Sequence, residues 1–72
     1  MKSLSHVYRE ALEQYSRALE LEATCAVYHS NRAACHLVLG DPWQARQDAR
    51  QATILQVYYI RIRTRQGIYG QI

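Results

Sequence analysis

The chain has 72 residues, with nine Lys or Arg against six Asp or Glu, a formal charge of +3 and 49% apolar residues. A chain this short holds one domain at most and buries only about 60% of the surface it exposes when unfolded, so its stability is marginal. It has no run of about 20 apolar residues and no basic-then-apolar leader, which argues against a membrane span and for a soluble, cytosolic setting.

The first element is YREALEQYSRALEL, where Tyr8, Ala11, Leu12, Tyr15, Ala18 and Leu19 recur at three- and four-residue steps. That spacing is one apolar stripe of a helix over 8–22. Glu13 and Arg17 stand four apart in the favourable order on its opposite face. The second helical run, AVYHSNRAACHLVLG, ends at Gly40, a residue suited to a left-handed C-terminal position. Asp41 is placed to cap the next helix, and Pro42 takes its first position, where a missing N–H costs nothing. The third helix is PWQARQDARQATIL, and Gly-Asp-Pro is the tight corner between two antiparallel helices. Ala33 and Ala34 on one side, and Ala45, Ala49 and Ala52 on the other, predict a close alanine-lined contact between the two.

The tail, VYYIRIRTRQGIYGQI, is ambiguous. Ile60-Arg61-Ile62-Arg63-Thr64-Arg65 alternates with strand period, yet nothing in the chain offers a strand for it to pair with. Charge is also unevenly spread. Residues 1–31 hold Lys2, Arg9 and Arg17 against Glu10, Glu13, Glu20 and Glu22, whereas no acid follows Asp48 and Arg50, Arg61, Arg63 and Arg65 are unbalanced. A basic end points to an acidic partner.

Chemistry-bearing clusters are few. Cys25 and Cys35 would lie about 15 Å apart along a helix, too far for a disulfide, and read as packed thiols in a reducing compartment. Cys25 and His29 are four apart, but two ligands make no structural zinc site, and His36 lies about 10 Å further along. No nucleophile with a base and orienting group, no phosphate loop and no carboxylate pair stands out. The expectation is a non-enzyme with no cofactor and no metal.

An internal repeat organises the rest. Ala11, Ala18 and Leu21 recur as Ala45, Ala52 and Leu55, each shifted by 34 residues. Helix pairs at that period are the tetratricopeptide signature. The chain resembles the tetratricopeptide repeat (TPR) family, and NRAACHLVLGD followed by ARQDARQA is similar to its co-chaperone branch. The resemblance implies an all-α fold: antiparallel helix hairpins of a right-handed superhelix, about one and a half repeats plus a basic C-terminal helix. Within a single partial domain over 1–72, residues 8–22 would be the second helix of repeat 1, 25–56 a full repeat 2 and 58–70 the start of repeat 3.

In that branch a groove grips the C-terminal carboxylate of an acidic peptide, as on heat-shock chaperone tails. Carried over by position, Asn31 would hydrogen-bond the carboxylate, and Arg61 and Arg65, where the family has Lys and Arg, would neutralise it. The first-repeat Lys and Asn would fall before Met1, so the chain is expected to begin partway through a repeat. Arg63, Gln66 and Gly70 stand where the family places large core residues, and Val57 replaces the Pro that separates repeats.

Two other readings stand beside this one. The stripe of Tyr8, Leu12, Tyr15 and Leu19, short of its usual neighbour, would drive self-association, most simply as a homodimer. The tail arginines Arg61, Arg63 and Arg65, flanked by Tyr58, Tyr59 and Tyr69, would bind RNA or another polyanion, the less favoured alternative.

Overall fold

The computed structural model describes the backbone of residues 1–70 and the side chains of residues 1–65. It contains three helices: α1 (Leu4–Leu21), α2 (Ala26–Val38) and α3 (Pro42–Gly70). There is no strand among the described residues. The surroundings of Gln66, Gly67, Tyr69 and Gly70, which entered the reading of the tail, lie outside the described side chains.

Local chemistry sets most of the boundaries. α1 starts four residues before the expected helix because Ser3 caps it: its backbone is extended and its Oγ accepts the His6 N–H at 3.2 Å. The α2–α3 corner forms as the sequence predicts. Gly40 takes φ +81°, its N–H bonds the Leu37 carbonyl at 3.1 Å, and the Asp41 N–H bonds the His36 carbonyl at 2.8 Å. This pair of bonds is the Schellman arrangement, which needs the left-handed conformation that glycine adopts without strain. Asp41 then accepts the Gln44 N–H at Oδ1 (3.2 Å), capping α3 with Pro42 in its first turn.

α2 is the central helix and packs against both α1 and α3. The apolar core is thin. Leu19, Ala33, Cys35, Ala45 and Ala52 are buried, and no large apolar side chain is fully enclosed. Ala45 and Ala52 face α2 as expected, but Ala34 and Ala49 are exposed, which corrects the five-alanine contact. The inward stripe of α3 runs 45, 48, 52, a three- and four-residue step, so Asp48 rather than Ala49 points into the interface.

The α1 stripe is used within the chain. Leu19 is buried and Tyr8, Leu12 and Tyr15 are half-buried, with the Tyr15 ring 6.2 Å from that of Tyr28 on α2. The side chains α1 turns outward are instead Leu4, Val7 and Leu21. A second chain using the Tyr8–Leu19 stripe would compete with α2 for it.

The tail resolves the conflict between period and context in favour of helix. α3 continues through 57–70 with no break, so 58–70 is its distal half rather than a separate element. Val57 supplies an N–H where a repeat-separating Pro would not, and extending an existing helix is easier than starting a strand without a partner. At about 1.5 Å per residue, 29 residues make a helix of roughly 43 Å, which explains the rod-like envelope of 56 × 21 × 20 Å. The distal half is tied to the body by the Tyr59 hydroxyl, which donates to the Thr24 carbonyl at 3.0 Å.

Replacing Val57 by Pro removes one helix hydrogen bond and crowds the preceding turn, at a cost of about 3 kcal/mol to the continuous helix. Amide hydrogen exchange of V57P is expected to show protection kept over 44–54 and lost over 58–65. Unchanged protection in both segments would contradict the account of α3's continuity.

Candidate functional site

Two polar arrangements stand out, one inside the stack and one on its surface. The interior one centres on Asp48, which is only 3% exposed. Arg32 meets it fork to fork: Nε donates to Oδ2 and Nη2 to Oδ1, both at 2.7 Å. His29 Nδ1 lies 3.1 Å from the same Oδ1, and His36 Nε2 is 3.5 Å from Oδ2. Arg32 also donates through Nη1 to the Ser16 hydroxyl at 3.3 Å, and His29 Nε2 lies 3.0 Å from the Ala23 carbonyl. One carboxylate thus gathers α2, α3, α1 and the α1–α2 link.

Electrostatics follow from this crowding. Burial pushes the Asp48 carboxyl up, but the hydrogen bonds and charges of Arg32 and His29 outweigh it and hold it below its ordinary value. The same bond raises Arg32 further above neutral pH, so the pair is ionised. Both His29 partners only accept, so a neutral ring makes one of its two bonds and the imidazolium makes both. No buried side-chain polar atom among the described residues lacks a partner. Burial also pushes the Cys35 thiol up, which makes it a packing group rather than a nucleophile.

Sequence reading missed this cluster, having weighed His29 and His36 only as metal ligands. The signal was there: Asp48 shares a helix face with Ala45 and Ala52, and His29, Arg32 and His36 are spaced three and four apart on the facing helix.

The surface arrangement holds the residues expected to bind a carboxylate. Arg61 and Arg65, one turn apart on α3, line an open concavity of about 390 Å³ with Tyr58 and Ile62. Neither arginine makes an ion pair among the described residues. Asn31 lies on α2 and is half-buried, with the exposed Val27 and Val38 on either side of it along the helix. Its amide makes no hydrogen bond among the described residues.

The structure brings Arg61 and Arg65 together but not Asn31 with them. The grip on Asp48 sets Asn31 level with about residue 49 of α3, so Arg61 and Arg65 stand roughly 18 and 24 Å further along the helix. A single carboxylate does not touch all three. The expectation of one shared anion site put Arg61 and Arg65 on the start of a third repeat, whereas α3 continues through them without a break.

Comparison with known proteins fits this architecture. The chain is 37% identical over 60 residues, 83% of its length, to small glutamine-rich tetratricopeptide repeat-containing protein 2 of Saccharomyces cerevisiae. It is 37% identical over 60 residues to the protein of the same name from Mycosarcoma maydis. It is 33% identical over 61 residues to the heat-shock protein cognate co-chaperone sgt12 of Aspergillus fumigatus. The fold is of the tetratricopeptide type. The chain spans 17–18% of the length of these relatives. No family model matches it, and no solved structure does. The motif NRAACHLVLGD with ARQDARQA takes on a physical meaning in this stack: its Arg32 and Asp48 are the buried pair, and its Gly40 and Asp41 form the corner.

Asp48→Ala leaves Arg32 and His29 without their acceptor, a loss of about 3–5 kcal/mol where a buried pair is broken. That is a large part of the roughly 4–11 kcal/mol expected of a domain this size. Urea unfolding followed by circular dichroism should show a collapsed transition for D48A, and an unchanged midpoint would remove the cluster from its structural role. Because the folded carboxyl is depressed, its stabilisation is complete above the unfolded value of about 3.9 and is lost as pH falls below that through the folded one. Thermal midpoints should therefore drop below about pH 4 in wild type, with a shallower drop in D48N.

Proposed function

We propose that the chain is a non-catalytic protein-interaction module that takes an acidic, C-terminal peptide segment, of the kind a heat-shock chaperone tail presents. The observation that carries this reading is the Arg61–Arg65 pair, one turn apart, beside Tyr58 and Ile62 in a region of the chain without acids. A co-chaperone among the similar proteins supports the same partner class. Arg61 and Arg65 hold acidic side chains of the peptide, and Tyr58 and Ile62 cover its apolar portions. Asn31, half-buried between the exposed Val27 and Val38, donates to the terminal carboxylate. The two points are offset by roughly 18–24 Å along the helix axis and lie on different sides of the stack, so at roughly 3.3–3.6 Å per residue an extended peptide of about a dozen residues is needed to reach both. Free Cys25 and Cys35 accord with a cytosolic setting.

The test is titration calorimetry with an acidic peptide of about a dozen residues in free-acid and amidated forms. Amidation, or Asn31→Ala, should each weaken binding by roughly 1.5–3 kcal/mol, the range for a charge-assisted hydrogen bond. R61Q/R65Q should lower affinity further and flatten its salt dependence. Equal affinity for free acid and amide would remove Asn31 from the reading, and indifference to R61Q/R65Q would remove the arginine pair.

A further inference from the structure

The outer face of α3 carries a second pattern, which shares Arg61 and Arg65 with the peptide reading and adds residues that reading does not use. Arg46, Arg50, Arg61 and Arg65 are separated by four, eleven and four residues. At about 100° per residue those steps return all four to one arc of the helix, opposite the Ala45–Asp48–Ala52 side buried on α2. Between the two arginine pairs stand Ile54 and Val57, 51% and 44% exposed, and Trp43 at 64% marks one end of the stripe. Shallow concavities run along the same face from Trp43 to Arg65. No Asp or Glu shares it: Asp48 points inward and Asp41 precedes the helix. None of these arginines makes an ion pair among the described residues. The stripe is unbroken and roughly 33 Å long.

We propose that this face lies flat on an anionic lipid bilayer. Paired arginines alone would suit any polyanion, so the aliphatic side chains decide. Ile54 and Val57 gain nothing from a sugar-phosphate backbone, but they lose water contact on entering the boundary between headgroups and acyl chains. Trp43 belongs at the same depth, where an indole has both an apolar body and a hydrogen-bonding edge. Each arginine fork meets lipid phosphates on either side of the aliphatic centre. The opposite face of the proximal helix stays on α2, so α3 rests on the surface; no helix among the described residues is long and apolar enough to cross a membrane.

Arg61 and Arg65 also serve the peptide reading, so the test uses Arg46, Arg50, Ile54 and Val57, which do not. Trp43 is the sole tryptophan and reports directly. Wild type, R46Q/R50Q and I54S/V57S are mixed with vesicles of phosphatidylcholine alone or with about 30% phosphatidylserine, and binding is read by Trp43 emission and co-sedimentation. Wild-type emission should shift to the blue only with the anionic vesicles, and the shift should fade with added salt. R46Q/R50Q should bind about 25-fold more weakly, at about fivefold per arginine, and I54S/V57S should also lose the shift, while both keep wild-type circular dichroism and peptide affinity. Absence of anionic preference would overturn the proposal. So would full vesicle binding by I54S/V57S, or binding of single-stranded RNA that ignores that substitution, since the aliphatic stripe would then contribute nothing.

Discussion

The stack depends on one carboxylate. Asp48 sits buried between α2 and α3, and through its partners it is the point at which three helices and a link are joined. Its importance follows from how little else is buried. Three of the five buried apolar residues are alanine, and each contributes modestly by area. Ala45 and Ala52 nevertheless matter to the pair, because their small size lets the α2 and α3 axes approach until Arg32 spans the gap. A buried ion pair is a poor source of net stability compared with apolar packing, but once built it tolerates no missing partner. The cluster therefore fixes the register of α2 against α3 and, through Ser16, the seat of α1.

That register governs what the surface can do. Once Asp48 is locked to Arg32, the position of every residue on α3 is set relative to α2. The helix then runs past the end of its partner, and its distal half becomes a basic, aromatic-rich projection held back at Tyr59. Its outer face serves twice: Arg61 and Arg65 line the concavity with Tyr58 and Ile62, which suits a peptide with acidic side chains, and also end the stripe from Trp43 onward, which suits a broad, flat anion. Both depend on α3 being straight, and both would vanish if 58–70 folded back onto the stack.

Much of the fold could be read from the residues. The α1 stripe of Tyr8, Leu12, Tyr15 and Leu19 and the Gly40-Asp41-Pro42 corner each act through neighbours a few positions away, and both survive in the structure. The extra turns of α1 were also available, through the Ser3 cap. The site was less legible. Asn31, Arg61 and Arg65 could be named individually, but their mutual distance depended on a helix boundary near Val57 that short-range signals left undecided, with strand-like alternation and helix context in conflict.

What could be read from the residues alone is therefore local: the helices up to residue 56, the capping and tight corner, the inward stripe of α1 and the uneven distribution of charge. These are set by backbone propensity and by spacing within one or two turns. The tertiary structure alone decided which polar groups are buried together, that α3 absorbs the tail, and that the arginines stand apart from Asn31. Those outcomes depend on how Arg32 and Asp48 fix one helix against another, and spacing within each segment marks a face without saying which polar groups 16 positions apart meet across it.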